Sequence, residues 1–377
     1  MFDFNLQFAR GGAQFTVELF EKLQAATTKE NIIVSPFSIQ NCLALAFAGA
    51  KDDTAEEIAT AMKYVSNFPP EVAETFQFVL EKYKDSDLVK IANKIYVQEG
   101  KEIKADYAQA TKEHYHAEAE NLNFAESEAA AQTINGWVEE KTAGKITELV
   151  SSDSFDSTTR LVLLNALHFK GEWEKKFDEA ATEEDDFWTA EEESVKVKYM
   201  NQKAKFGYGY FEEYNCTALE MPYKDSDLSM FVILPQEREG LKDLALKLKE
   251  VNLVDLADKM NEEEVVVKFP KFKIDYSIEL TDTLKEMGIT KAFGDCADFS
   301  NILESPEDIS ISKVLHKACI EVNEEGSEAA AATGMIMMTR MMMMPLQFVA
   351  DRPFFYWIWN KKNILFAGAF VNAPAES

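Results

Sequence analysis

A run of nine residues in the middle of the chain, LVLLNALHF, constrains the fold most strongly. It spans residues 161–169 and is apolar except for Asn165 and His168. Continuous apolar runs of this length are typical of strands that are buried on both faces of a sheet. The segment therefore predicts a central, fully buried strand.

The chain has a different character before and after this strand, because helical spacing dominates the first part and strand patterns dominate the second. Predicted helices cover residues 5–26, 36–49, 51–62, 74–84, 106–119, 128–142, 241–251 and 278–287. Further predicted strands cover residues 31–34, 88–97, 195–200, 206–211, 216–222, 229–234, 265–274, 353–359 and 364–371. Since no Gly/Ser linker or internal repeat interrupts the 377 residues, we expect one α+β domain over residues 1–377.

Three local sequence patterns predict where helices begin or where the chain breaks. Ser35 followed by Pro36 predicts a cap and first turn, because a serine oxygen accepts from orphan N–H groups and proline needs no donor there. Thr54 and Glu57 have the spacing of a capping box. The tripeptide Phe68-Pro69-Pro70 predicts a break in the chain.

The composition narrows the classes of function. The formal net charge is -27, which disfavours nonspecific binding to nucleic acid or to an anionic membrane. No apolar run reaches the length of a membrane span, and the N-terminal residues lack the pattern of a signal peptide. The chain is therefore predicted to be cytosolic or a mature form. Four widely spaced cysteines without a CxxC pattern predict free buried thiols, with disulfide pairing as the alternative: Cys42, Cys216, Cys296 and Cys319.

The familiar motifs of enzymes are absent from the sequence. It contains no G-x-S-x-G, HExxH, P-loop or dinucleotide-binding glycine pattern. His114 and His116 are two residues apart and do not share a helix face, so no metal site is predicted. A solvated face is the favoured interpretation of four nearby lysines, with a polyanion patch as the alternative: Lys82, Lys84, Lys90 and Lys94. Asn215 begins a glycosylation sequon, which matters only in a secreted protein.

The segment EEGSEAAAATGMIMMTRMMMM near the C-terminus is neither ordinary core nor ordinary linker. Alanine runs favour helix in isolation. The same small residues also suit a strand that must enter between two strands already packed, because bulky groups could not follow. At a period of two, Ser327, Ala329, Ala331 and Thr333 share one face, and that face points inward if Glu328 is to meet solvent.

A single basic residue, Arg340, interrupts the methionines and precedes Met341. An exposed arginine among flexible unbranched residues is what a trypsin-like protease takes into its acidic specificity pocket. The alternative is a charged surface loop that only resembles a cleavage site.

Several long motifs in order resemble the serpin family. They are NIIVSPFSIQNCLALAFAGAKDDTAEEI, LVLLNALHFKGEWEKKFD, VVVKFPKFKIDYSIELTDTLKEMGITKAF, KACIEVNEEGSEAAAATG and DRPFFYWIWNKKNILFAGAFVNAP. His168 stands where the family usually has tyrosine, and Ala369 where it usually has arginine. The resemblance implies a serpin fold with a large central mixed sheet, a second and a third sheet, and about eight to nine helices. It also implies an exposed hinge and reactive-centre loop over residues 324–345.

The resemblance further implies an inhibitor of trypsin-like serine proteases that acts as a suicide substrate and is not an enzyme. Arg340 lies fourteen positions after Gly326 and is the implied scissile residue, with Met341 after the cut. The implied hinge comprises Glu324, Glu325, Gly326, Ser327, Glu328, Ala329, Ala330, Ala331, Ala332 and Thr333. Residues implied to control sheet opening are Ser35, Ser38 and Asn165 at a shutter, Trp173 and His316 at a breach, and a Glu324–Lys271 ion pair.

Family likeness also implies a partner and a location. The partner is a trypsin-like serine protease in a covalent complex with a monomeric inhibitor, without nucleic acid or membrane. The location is extracellular, where Asn215 would be glycosylated. No cofactor is expected, although a glycosaminoglycan activator stays open. A serpin that serves as carrier, storage protein or chaperone is the alternative function.

Overall fold

The computed structural model describes residues 4–27, 29–305, 309–325 and 345–374. These parts of the chain contain nine α-helices and three short 3₁₀ helices. The α-helices are α1 (Phe4–Ala26), α2 (Pro36–Gly49), α3 (Asp52–Ala61), α4 (Pro69–Tyr83), α5 (Ala105–Tyr115), α6 (Ser127–Lys141), α7 (Leu241–Leu248), α8 (Leu253–Ala257) and α9 (Thr281–Glu286). The 3₁₀ helices are Glu179–Ala181, Glu212–Tyr214 and Lys291–Phe293.

The same residues contain fourteen strands. They are β1 (Ile32–Val34), β2 (Val89–Gln98), β3 (Glu118–Leu122), β4 (Leu161–Lys170), β5 (Glu183–Trp188), β6 (Ser194–Phe211), β7 (Cys216–Pro222), β8 (Ser229–Pro235), β9 (Asn261–Pro270), β10 (Phe272–Glu279), β11 (Ile311–Val322), β12 (Leu346–Val349), β13 (Phe354–Trp359) and β14 (Ile364–Phe370). No helix in the described ranges is long and apolar enough to cross a membrane.

Two sheets organise the described strands. The five-stranded sheet has the order β10-β11-β4-β2-β3, and the nine-stranded sheet has the order β1-β14-β13-β8-β7-β6-β9-β12 with β5 also paired to β6. The second and third sheets that the family resemblance implies form a single nine-stranded sheet in the described residues. They are continuous because the 18-residue strand β6 pairs with β5, β7 and β9 along its length.

Strand β4 lies at the centre of the five-stranded sheet, as its apolar run predicts. All its residues except Lys170 are buried. Leu163 and Leu167 belong to the main core, whereas Leu164 and Ala166 pack in a second cluster beneath α6. Helix α2 is almost wholly buried against the sheets. Its N-cap is Ser35, whose side chain accepts from the N–H of Ser38 at 3.2 Å. The predicted cap and proline start are therefore confirmed.

Other local predictions were wrong. Helix α3 begins at Asp52, so Thr54 and Glu57 lie inside it and cannot form a capping box. Thr54 instead accepts from the N–H of Asp298 at 3.0 Å, and Glu57 accepts from the N–H groups of Thr290 and Lys291 at 2.8 Å each. The two prolines after Phe68 do not break the chain but form the first turn of α4, where their missing N–H groups cost nothing.

Candidate functional site: the seam between β4 and β11

Strands β4 and β11 are parallel neighbours in the five-stranded sheet, and we call their boundary the seam. The register pairs Ile311 with Leu161 at one end and Glu321 with Lys170 at the other. The flanking pairs, β10 with β11 and β2 with β4, are antiparallel. Strand β11 leads directly into the hinge, so the seam and the small-residue segment are continuous along the chain.

A buried polar cluster crosses the middle of the seam. Asn93 on β2, Asn165 on β4 and His316 on β11 lie at the same level of the sheet. Asn165 donates through Nδ2 to Ser38 Oγ and to Asn93 Oδ1. Ser38 Oγ donates to Asn93 Oδ1 at 3.2 Å, which connects the start of α2 to both strands. All these side chains are buried, so each bond lost would leave a polar group without a partner.

The tautomer of His316 follows from its two neighbours. The Ser35 N–H donates to His316 Nε2 at 3.2 Å, so Nε2 is the acceptor. His316 Nδ1 contacts the Asn165 Oδ1 acceptor and therefore carries the proton. Burial lowers the pKa of His316 to about 3, because the charged ring would lose its hydration. The neutral ring thus bonds β11 to β4 across the seam.

His316 lies in a different part of the seam from the one predicted. Asn93 also belongs to the buried cluster, although the sequence did not predict it. His316 was assigned with Trp173 to the breach, but it belongs to the cluster of Ser35, Ser38 and Asn165. It lies seven residues before Asn323, which contacts Trp173, and seven residues of strand span about 23 Å. Asn93 carries no distinct signal in the sequence, because Lys90, Lys94 and Gln98 also interrupt the apolar residues of β2.

A second set of contacts lies at the end of the seam where the hinge begins. Trp173 Nε1 donates to the carbonyl of Asn323 at 2.8 Å, and its backbone N–H donates to the carbonyl of Glu325 at 2.9 Å. The indole also stacks on Tyr223, with ring centroids 4.6 Å apart. Trp173 therefore holds the last described residues before the hinge glycine against the body of the protein.

The Glu324 carboxylate is anchored at the same end. Lys271 Nζ donates to Oε2 at 2.7 Å and Thr182 Oγ1 donates to Oε1 at 2.7 Å. Only 5% of the Glu324 side chain is exposed, compared with 42% for Lys271. Burial acts to raise the pKa of Glu324, but the bonds from Lys271 and Thr182 outweigh it and hold the pKa below its usual value. The carboxylate is thus charged and paired, which is the geometry that the family resemblance implied.

Most of the predicted hinge and the whole reactive bond fall on residues that the structure does not describe. Gly326, Ser327, Glu328, Ala329, Ala330, Ala331, Ala332, Thr333, Arg340 and Met341 lie outside the described residues. The chain leaves the described region after Glu325 and re-enters it at Pro345, one residue before β12.

The four lysines considered as a polyanion patch have acidic partners. Lys82 pairs with Asp227, Lys84 with Glu81 at 3.4 Å, and Lys90 with Asp87 at 3.3 Å. Lys94 is buried and pairs with Glu118 at 3.0 Å and Glu120 at 2.8 Å. The favoured interpretation as a solvated face was therefore wrong for Lys94, which is an internal cation.

The remaining candidate residues are separate from the seam. His114 contacts Gln77 and His116 contacts Glu81, and no group of three His, Cys, Asp or Glu within the described ranges could hold a metal. Cys42, Cys216 and Cys319 are buried as predicted, whereas Cys296 is exposed. Asn215 is exposed and ends a 3₁₀ turn in the left-handed conformation.

Comparison with known proteins agrees with this fold. The family model for "Serpin (serine protease inhibitor)" matches residues 10–373. The leukocyte elastase inhibitor of Bos taurus is 38% identical, and the match covers 96% of this chain and 98% of that protein. Serine protease inhibitor 42Dd of Drosophila melanogaster is 36% identical over 95% of this chain and 96% of its own. The solved structure of cleaved Serpin 42Da superposes with a TM-score of 0.89 at 36% identity, covering 99% of this chain and 100% of that one.

In the described residues, a buried polar cluster crosses the boundary between β4 and β11, and β11 leads to Glu324 and Glu325 at the start of the predicted hinge. The chain belongs to the serpin family of serine protease inhibitors. The predicted fold class is confirmed, and so is the prediction that the protein is an inhibitor and not an enzyme. The predicted trypsin-like specificity stays a prediction, because two of these relatives are named for other targets or for none.

The predicted extracellular location was wrong. It relied on family likeness, yet leukocyte elastase inhibitors such as the Bos taurus protein are intracellular serpins without a signal peptide. Likeness to these relatives therefore contradicts secretion. Glycosylation of Asn215 loses its support at the same time, since the sequon has meaning only on a secreted chain.

Proposed function

We propose that this protein inhibits a trypsin-like serine protease as a suicide substrate, with cleavage between Arg340 and Met341. The observation that carries the proposal is the parallel seam, which continues through Glu325 into a segment of small residues. A strand that reverses direction after β11 would run antiparallel to both β11 and β4. One parallel contact would then be replaced by two antiparallel ones, which are slightly more stable per residue.

The chemistry begins with the protease. Its serine attacks the carbonyl of Arg340 and forms an acyl-enzyme, which releases the amine of Met341 and frees the preceding segment from β12. Residues 327–340 could then enter the seam as a new strand. Fourteen residues at about 3.3 Å each span roughly 46 Å, so the attached protease would be carried to the opposite end of the sheet.

The free energy available is sufficient for trapping. About ten or more new ladder hydrogen bonds would form, each with a net value of about 1 kcal/mol. Displacing a single oxyanion donor in the protease slows its chemistry by about 10²–10³. The free energy of insertion is therefore larger than the free energy needed to distort the acyl-enzyme and stop deacylation. A kinetic barrier keeps the loop of the intact protein from inserting before cleavage.

The buried cluster and the contacts of Trp173 supply parts of that barrier. A strand that enters at the hinge end must first displace Trp173 and Glu324 from their partners. It must then separate His316 from Asn165, because their bond crosses the seam directly. In this proposal Ser35, Ser38, Asn93, Asn165 and His316 act as the shutter, and Trp173, Lys271 and Glu324 act as the breach.

The proposal is tested by incubating the protein with a panel of trypsin-like, chymotrypsin-like and elastase-like serine proteases. A trypsin-like enzyme should give a complex that survives denaturing electrophoresis, and mass spectrometry should detect a released peptide beginning at Met341. An Arg340→Ala variant should lose the complex with that enzyme. Cleavage at Arg340 that yields only free products would contradict inhibition.

A second specificity is favoured by the names of several relatives, which are leukocyte elastase inhibitors. An elastase-like protease could use a small or unbranched residue of the same loop in place of Arg340. The released peptide distinguishes the two, since it would then begin at another residue. A non-inhibitory carrier is disfavoured by the inward face from Ser327 to Thr333, which has no bulky or charged residue to block insertion.

A further inference from the structure

An ion-pair network closes the seam at the end where an inserted strand would have to enter. Lys170, the last residue of β4, lies opposite Glu321 on β11 in the final register pair. Its Nζ is 3.1 Å from Glu321 Oε1 and 3.0 Å from Glu325 Oε2. One lysine on β4 thus contacts two carboxylates on the strand across the seam and on its continuation.

Asn323 fixes the geometry of this network. Its Nδ2 donates to Glu321 Oε1 at 3.0 Å, and its Oδ1 accepts the backbone N–H of Glu325 at 3.0 Å. The carbonyl of Glu325 is held by Trp173, as described above. The backbone of Glu325 is therefore held at both its N–H and its carbonyl, which keeps its side chain within reach of Lys170.

We infer that Lys170, Glu321, Asn323 and Glu325 form a seam clasp that positions β4 against β11 and slows their separation. This inference rests on the proposed function, because it assigns the clasp a part in the insertion barrier. Adjacent strands lie about 4.8 Å apart, so an inserted strand would move Lys170 and Glu321 to about twice that separation and break their contact.

The clasp and the Glu324–Lys271 pair connect different strands. Lys271 lies between β9 and β10, so it fixes Glu324 to the outer side of β11 without crossing the seam. Lys170, by contrast, joins the two separating strands at this end of the seam. Because the pairs are partly exposed, each contributes a modest amount, and salt should weaken both.

Lys170 is therefore a positioning residue for the proposed reaction, and it acts on the closed sheet only. Lys170→Met keeps the length and apolar stem of the side chain but removes the charge. Opening of the seam should become roughly threefold to tenfold faster in about 50 mM salt. Lys170→Arg should restore the slower opening, because it keeps a cation that can bond two carboxylates.

The test is hydrogen–deuterium exchange of the intact chain, read at the amides of β4 and β11. We expect faster exchange in Lys170→Met at low salt, and a difference that shrinks in about 0.5 M salt as the pairs are screened. The matched control is Lys203→Met, whose lysine pairs with Glu264 at 2.9 Å between β6 and β9 in the other sheet. It should leave the exchange of β4 and β11 unchanged.

Two results separate the clasp from the proposed function. If exchange across the seam in Lys170→Met equals that of the unmodified protein at low salt, or if the increase is independent of salt, the clasp is refuted even where protease complexes form. If the unmodified protein forms no covalent complex with any protease, the proposed function fails, while faster and salt-sensitive exchange in the variant still supports the clasp. In a functional protein, Lys170→Met should also convert a larger fraction of cleavage events into complex.

Discussion

At the scale of single residues, closure of the seam depends most directly on the side chain of His316. Its ring accepts from Ser35 and donates to Asn165, and a second proton would point an N–H at the Ser35 N–H. The bond across the seam therefore requires the neutral ring. A histidine that is neutral only because it is buried makes the stability of the closed sheet depend on pH.

Acidification should destabilise the intact protein through this residue. The folded-state pKa of His316 is about 3, below the value of about 6.5 in an unfolded chain, so the unfolded chain takes up the proton first as the pH falls. The contribution is complete above about pH 6.5 and is lost progressively below it. Between pH 6.5 and 5 the free energy of unfolding should fall by about 2 kcal/mol from this group alone.

A His316→Gln variant tests this expectation, because an amide can accept from Ser35 and donate to Asn165 without titrating in that range. Thermal unfolding between pH 5 and 7 should show a weaker pH dependence in the variant than in the unmodified protein. His114→Gln, on α5 and away from the seam, serves as the control. An equal pH dependence in the His316 variant and the unmodified protein would show that protonation of His316 does not control the stability of the closed sheet.

At the scale of elements, the seam depends on β11, which the sequence pattern did not predict to be a strand. Lys313, His316 and Lys317 interrupt its apolar positions, so it lacks both the alternation and the continuous run that mark strands. Strand β4 was predictable because nothing inside it conflicts with burial except Asn165 and His168. Helix α2 was predictable because Ser35 and Pro36 are local signals that need no tertiary partner.

Long-range contacts explain the predictions that failed. Thr54 and Glu57 match a capping box in sequence, yet their partners are Asp298, Thr290 and Lys291, which are more than 230 residues away. His316 is close to the hinge in sequence, but an extended strand carries it to the middle of the sheet. Family likeness supplied Asn165, Ser35 and Ser38, whereas Asn93 and the Lys170 clasp follow only from the register of neighbouring strands.

The inserted strand has a predicted inward face that substitution can test. Ala331→Arg would place a guanidinium on the face with Ser327, Ala329 and Thr333 and should block insertion. The variant should be cleaved as a substrate and form little complex. Ala330→Arg is the matched control on the opposite face and should retain most of the complex. Gel quantification of complex against cleaved product measures both, and equal effects would show that the strand phase is wrong.

At the scale of the whole molecule, charge governs which partners can approach. The net charge of -27 repels polyanions, and the lysines that might have formed a local patch are paired with acids. Heparin should therefore change the rate of protease association by less than about twofold at physiological salt. Stopped-flow or progress-curve kinetics with and without heparin test this. An acceleration of tenfold or more would reveal a basic surface that these pairings do not account for.

The intact fold should be less stable than the cleaved fold in which the loop has become a strand. If residues 327–340 enter the seam after cleavage, two new ladders replace the single ladder between β4 and β11. The net gain is about ten ladder hydrogen bonds, or about 10 kcal/mol. Unfolding entropy scales with chain length, so this gain should raise the melting temperature by at least about 10 °C.

The most direct measurement is calorimetric melting of the intact chain and of the chain cleaved between Arg340 and Met341, compared under identical conditions. Insertion predicts that the cleaved protein melts well above the intact one. Equal melting temperatures, or a lower one after cleavage, would contradict the account.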